Sequence, residues 1–260
     1  MSAVDQARPR IDAAAWQASW DRQQAYYMPD REARFGAMLD AVEAIAGRWP
    51  LVLDLACGTA SITARLLDRL PAARSVAVDV DPALLAIASA TFADDRRVGI
   101  VRADLAEPDW ATALELRPFD AVVTATALHW LPHDVLRRVY RDVFQLLRPG
   151  GLFVNVDTMA DDGLPTVSAA LQAHDRERRA AATGAGVPDW DAWWDIARAD
   201  PALQPLVAER DRRFGANHAP TFDPPASWHL DALRDAGFTE VGLAWRSGTD
   251  AAATAIRPAT

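Results

Sequence analysis

The sequence predicts an α/β fold: a seven-stranded, mostly parallel sheet covered by helices on both faces and closed by a C-terminal antiparallel hairpin. Three observations carry this. Short apolar runs at residues 51–55, 75–80, 98–101, 119–124 and 152–156 alternate with segments of helical periodicity. Such alternation is the pattern of strands whose two faces are both buried. A further helix and two strands follow at 226–236, 238–246 and 251–257, and the Ser247-Gly248-Thr249-Asp250 connection is short enough to make the last pair a hairpin.

Taken in order, the first 49 residues read as an N-terminal helical cover. Trp16, Trp20, Tyr26 and Tyr27 precede an interruption at Pro29, and Phe35, Met38, Leu39, Val42 and Ile45 then recur at helical spacing, with Asp30 placed to cap the start. The main domain is expected over 50–260. Its first strand ends in Asp54 and runs into Ala56-Cys57-Gly58, after which Ile62, Leu66, Leu67 and Leu70 mark a helix that Pro71 ends. Asp81-Pro82 is a cap followed by proline at the first helical position. Val135, Leu136, Val139, Tyr140, Val143, Phe144 and Leu147 form one face of a long helix, with Arg148-Pro149-Gly150-Gly151 as its stop signal. Beyond Val156 the alternation ceases. Residues 160–225, punctuated by Pro165, Pro188, Pro201, Pro205 and Pro220 among helical stretches, read as a mostly helical insertion on the ligand side of the sheet.

Composition removes several classes. The chain has 260 residues, half of them hydrophobic, with 36 acidic and 27 basic side chains and a formal charge of -9. A nucleic-acid binder needs a basic face to neutralise phosphates, and no such face is evident. The single cysteine, Cys57, permits no intrachain disulfide. No apolar run approaches the roughly 20 residues of a membrane span, and no secretory leader is evident, so a cytoplasmic protein without a membrane partner is expected. Gly58 is not followed by a Lys-Ser/Thr pair, which argues against a nucleotide-triphosphate loop. The five histidines lack compact ligand spacing and Asp161-Asp162 reads as a solvated turn, so no metal is expected.

Asp54, Asp79 and Asp104 stand at the ends of three successive strands, which is where open α/β sheets converge on a ligand crevice. With the small-residue turn Ala56-Cys57-Gly58-Thr59-Ala60 and the segment Phe119–Trp130, these residues resemble the class I S-adenosylmethionine-dependent methyltransferases, whose sheet is Rossmann-like, and especially their small-molecule members. The resemblance runs through about residues 51–156 and returns at the terminal hairpin. It departs at Ala56 and Ala60, where the family usually has glycine.

The resemblance implies S-adenosyl-L-methionine as cofactor. Asp54 with the turn through Ala56 and Gly58 would hold the methionine portion, directly or through water. Asp79 beside Val80 would accept from the ribose hydroxyls, and Asp104 and Leu105 would frame adenine. Thr124–Ala127 would line the methyl region, with His129 or Trp130 closing it. His129 is the candidate general base, against the plainer reading of a histidine bound to backbone at a helix start. No catalytic dyad is evident. Tyr26, Tyr27, Trp130, His174 and His218 are candidates for contacting the small-molecule acceptor, and Trp190, Trp193 and Trp194 are better explained as packing of the insertion onto the domain than as an acceptor wall. The alternatives left open are a binding or regulatory module that keeps the fold without transferring methyl, a dinucleotide oxidoreductase, and methylation of RNA or protein. A monomer or homodimer is expected.

Overall fold

The computed structural model describes residues 10–28, 30–115, 118–182, 186–215 and 223–259. Two helices, α1 (Ala13–Tyr27) and α2 (Arg31–Ala46), precede the sheet. The parallel part then follows as β1 (Leu51–Leu55), α3 (Ser61–Arg69), β2 (Arg74–Asp79), α4 (Pro82–Thr91), β3 (Val98–Arg102), β4 (Phe119–Ala125), α5 (His133–Leu146) and β5 (Leu147–Thr158). The insertion contributes α6 (Pro165–Ala182), α7 (Trp190–Ala199) and α8 (Gln204–Phe214), and the chain ends in α9 (Ala226–Asp235), β6 (Glu240–Ser247) and β7 (Asp250–Ile256).

The strands lie in the order β3-β2-β1-β4-β5-β7-β6. The first five are parallel, and β7 pairs antiparallel with both β5 and β6. The expected hairpin is therefore present, with its second strand inserted between β5 and the edge. Chain order reverses between β1 and β4, so the crevice at the carboxyl ends of these strands is the switch point at which doubly wound sheets receive ligands.

Strand alternation divides the core in two. Leu53, Leu55, Val122 and Phe153 pack on one face with α5 and α9. Their neighbours Val52, Ala121, Val123, Leu152 and Val154 pack on the other with α2 and α3. One run of apolar residues thus feeds both layers, because consecutive side chains leave a strand on opposite sides. A third cluster joins Trp16 and Trp20 of α1 to Leu84 and Ile87 of α4 and to Trp193, Trp194, Leu203 and Val207 of the insertion. The N-terminal cover and the insertion are packed against each other over the ligand end of the sheet.

Two local readings change. Asp30 occupies the N-cap position of α2 without donating or accepting a capping bond there, and its carboxylate instead accepts from Ser247 Oγ at 3.1 Å. The Arg148-Pro149-Gly150-Gly151 segment is more than a stop signal: β5 starts already at Leu147, which pairs with Phe119. Gly151 is required by close approach, since a Cβ there would sit 2.8 Å from the Arg148 carbonyl oxygen. Among the described residues no helix is long and apolar enough to cross a membrane.

Candidate active site

The loop after β1 turns tightly beneath the start of α3. Ala56, Gly58 and Ala60 all have positive φ, at 54°, 56° and 60°. The two alanines thus occupy the left-handed region that favours glycine. The turn is fixed from both sides: the Cys57 amide donates to the Val78 carbonyl at 2.9 Å, and the Ala60 amide donates to the Cys57 carbonyl at 2.8 Å.

Asp79 ties this loop to the next strand. Its carboxylate accepts from the amides of Gly58 (2.7 Å), Val80 (2.7 Å) and Asp81 (2.8 Å). Burial holds the Asp79 carboxyl above the ordinary range, against those three amide bonds. Asp81 is the N-cap of α4, accepting from Ala83 and Leu84 amides at 2.9 and 3.2 Å. Burial, then the neighbouring Asp79, lift its carboxyl to about 6 despite the Arg210 guanidinium. The two acids divide their work as their positions suggest: one binds the loop, the other caps the helix.

Asp54 lies lower. It is fully buried and accepts from the Thr63 amide (3.0 Å) and hydroxyl (2.8 Å) through one oxygen, while Oδ1 has no hydrogen-bond partner. Desolvation raises its carboxyl to about 7, with the Thr63 bonds opposing. Asp54 and Thr124 do not line the cleft; they sit immediately beneath it, and the Thr124 hydroxyl is likewise buried without a partner.

The cleft is a cavity of about 860 Å³ whose walls include Ala56, Gly58, Asp79, Val80, Asp104 and Leu105 at one end and Tyr27, His129, Trp130 and Trp190 at the other. Asp104 closes the loop after β3, accepting from the Ala106 amide at 2.8 Å and pairing with Arg213. These groups fit a nucleoside joined to an amino acid. Two carboxylates stand at adjacent strand ends, an apolar residue flanks one of them, and the buried Asp54 Oδ1 below the loop retains an unused acceptor. The volume lies toward the upper part of the range of ligand cavities, roughly 300–1,000 Å³, which leaves room for a second molecule.

At the other end stands a dyad that was not evident from the sequence. His129 sits on a single 3-10 turn after β4, and its Nδ1 lies 2.9 and 3.0 Å from the two carboxylate oxygens of Asp157, at the end of β5. Asp157 is itself buried and accepts from the Thr158 amide at 2.8 Å. A carboxylate at Nδ1 fixes the tautomer with hydrogen there, leaving Nε2 as the basic nitrogen. Burial works against the imidazolium, but the Asp157 charge and hydrogen bond outweigh it and His129 is more basic than an ordinary histidine. Asp223, on the same cavity wall, is raised by desolvation and then by Asp157.

The aromatic candidates separate. Trp130 and Trp190 stack at 6.3 Å with an interplanar angle of 25°, both lining the cavity. Tyr27 also lines it, and its hydroxyl accepts from the Trp190 amide at 2.7 Å. Tyr26 packs edge-on against Tyr27, 5.1 Å between centroids, without lining the cavity. Trp193 is buried among the helices without lining the cavity, while Trp190 and Trp194 of the same helix both reach its wall. His174 borders a separate cavity of about 240 Å³ with Tyr27, Arg34 and Asp250. His218 lies outside the described residues. Asp161 and Asp162 are engaged in their own turn and with Ser227, and among the described residues no three potential ligands are grouped to hold a metal.

Residues 52–151 match the family model for the methyltransferase domain. Trans-aconitate 2-methyltransferase of Streptomyces avermitilis is 32% identical over 120 residues, 46% of this chain and 44% of that protein. Malonyl-[acyl-carrier protein] O-methyltransferase of Marinomonas sp. is 30% identical over 122 residues, 46% and 42% of the two chains. The chain spans about half the length of the curated relatives it matches. Among solved structures, an O-methyltransferase family protein from Burkholderia thailandensis aligns over 95% of this chain and 60% of its own, with a TM-score of 0.59 and 21% identity. Human N-acetylserotonin methyltransferase in complex with S-adenosylmethionine aligns over 95% and 58%, with a TM-score of 0.54 and 15% identity; such likenesses speak to the fold. With its sheet order, its strand-end carboxylates and the segment matched by the methyltransferase domain model, the chain is similar to the class I S-adenosylmethionine-dependent methyltransferases.

Proposed function

We propose that the protein transfers a methyl group from S-adenosyl-L-methionine to a small-molecule acceptor by in-line displacement, with His129 as general base and Asp157 as the residue that positions it. The observation that carries this reading is the His129–Asp157 pair, set in the same cavity as the strand-end carboxylates Asp79 and Asp104. S-adenosylmethionine supplies an activated methyl on a positively charged sulfur. Asp79 takes the ribose hydroxyls, Asp104 and Leu105 frame the base, and the amides of the 56–58 turn receive the methionine end, with Asp54 acting from below through the unpartnered oxygen.

His129 Nε2 then removes the proton of an acceptor hydroxyl or amine as the new bond to carbon forms, and Asp157 balances the imidazolium charge. The stacked Trp130 and Trp190, with Tyr27, offer flat apolar walls that orient a planar acceptor and keep water out. The positive φ at Ala56 and Ala60 keeps the turn left-handed although glycine is replaced, which supports cofactor binding, and the His129–Asp157 pair favours a catalytic reading over a binding module.

The test has two stages. Calorimetry with S-adenosylhomocysteine is expected to show one site, and no binding would remove the assignment. Acceptor screening by mass shift of +14 Da, repeated with His129→Ala, is expected to show methylated product that falls about 10²- to 10⁴-fold in the variant with cofactor affinity retained.

A further inference from the structure

Helix α8 belongs to the insertion and lies outside the shared sheet, yet its side chains converge on the strand ends at the adenine side of the cleft. Arg210 is buried, 8% exposed; its Nε donates to Asp81 at 2.8 Å and its guanidinium lies 3.8 Å from the Trp194 ring centroid. One turn further, Arg213 pairs with Asp104. Glu209 pairs with Arg102, at the end of β3, at 2.5 Å. Phe214, 5.4 Å from the Arg210 guanidinium carbon, lines the same cavity as Asp104, Leu105 and Ala106. Three residues of one short helix thus reach the residues that end β2 and β3, and the helix ends on an aromatic ring facing the cleft.

We propose that helix α8 is a component of the cofactor site: Phe214 is the outer wall against the adenine ring, held there by the Arg210–Asp81 and Arg213–Asp104 pairs. The proposal rests on the S-adenosylmethionine reading of the cleft. An aromatic face is the complement of a purine face, and such stacking is tolerant of small displacements. Asp104 accepts from the Ala106 amide through one oxygen and from Arg213 through the other. An ionised carboxylate offers about four acceptor positions, so the base amine can join without expelling the arginine. The arginine serves as a tether, keeping the insertion seated while Asp104 keeps its charge.

The experiment measures S-adenosylhomocysteine and adenosine binding to the full chain by calorimetry, and S-adenosylhomocysteine release by stopped flow. Phe214→Ala is expected to weaken both ligands by about tenfold, with Phe214→Leu recovering part of the loss. Arg213→Ala is expected to weaken S-adenosylhomocysteine roughly two- to fivefold, through faster release and more at low salt, with Arg213→Lys restoring most of it. Wild-type affinity for both ligands in Phe214→Ala, or unchanged release in Arg213→Ala, would overturn the proposal. Failure of the wild-type chain to bind S-adenosylhomocysteine would instead overturn the cofactor reading and this inference with it. Phe214→Leu keeps apolar volume and carries the same test at smaller amplitude where the alanine variant does not fold.

Discussion

Two alanines in left-handed backbone, four residues apart, should respond to glycine in opposite ways. Placing a residue with a Cβ at φ of 54° or 60° costs about 1–2 kcal/mol, which glycine releases. Glycine also makes the unfolded chain more flexible, which takes back about 0.4–1 kcal/mol. At Ala56, partly buried on the cavity wall, little else is lost. Ala56→Gly is therefore expected to stabilise the ligand-free protein by about 0.5 kcal/mol, a rise in Tm of roughly 1–2 °C for a domain of this size. Ala60 is fully buried, packed with Cys57, Ala77, Leu85 and Ala88. Removing its methyl forfeits about 0.8 kcal/mol of burial and leaves a small void, so Ala60→Gly should come out neutral to slightly destabilising. Calorimetric melting and urea unfolding of both variants read the difference, expected near 1 kcal/mol. A more stable Ala60→Gly than Ala56→Gly would refute the reasoning, because burial would then not decide between equal backbone conformations.

Other consequences are open to measurement. Asp157→Asn removes the nearest charge that raises His129 and leaves burial opposed only by Asp223, so the acidic limb of the kcat/KM profile should move to lower pH while the plateau falls; an unmoved limb would separate His129 from the reaction. Tyr27→Phe deletes the acceptor of the Trp190 amide, and is expected to raise the acceptor KM several-fold with cofactor affinity unchanged, checked by steady-state kinetics beside calorimetry. His229 receives the Tyr140 hydroxyl at Nδ1, 2.6 Å away, and burial pushes it down to about 4. Its folded value lies below its unfolded one, so its contribution is complete above about pH 6.5 and is lost as pH falls towards 4, on the order of 3 kcal/mol in all. His229→Gln should flatten that slope in denaturant titrations from pH 7.5 to 4.5; an identical slope would place the acid sensitivity elsewhere. Asp54, raised to about 7, acts with the opposite sign, its contribution being complete below about pH 3.8 and lost as pH rises through 7.

The sheet, the terminal hairpin and the strand-end carboxylates were legible because each rests on a local rule. An apolar run ends, an acid follows, and a parallel topology carries the acids to one edge. Asp157 obeys the same rule at the end of β5, and the adjacency of β4 and β5, in which Ala125 pairs with Val156, brings the loop bearing His129 beside it. That pairing could have been drawn from the order of the elements. The seating of α8 was not legible, since Arg210 and Arg213 meet acids 129 and 109 residues away and nothing in their spacing names those partners. Nor was the split between Trp193 and its two neighbours Trp190 and Trp194, which depends on how the helix is rotated against α1.

The union of α1 with α7 bears on how such a protein changes its chemistry. Ser19 accepts from the Trp193 indole, Asp200 accepts from the Trp16 indole, and Tyr27 accepts from the Trp190 amide. This part of the cavity wall is therefore written in two stretches of sequence more than 150 residues apart, with the parallel part of the sheet between them. Grafting either stretch alone onto a related sheet would break these three bonds and expose a tryptophan cluster. A recombination experiment seeking a new acceptor should exchange both stretches together, and the single exchanges should yield chains that melt early before they lose any preference.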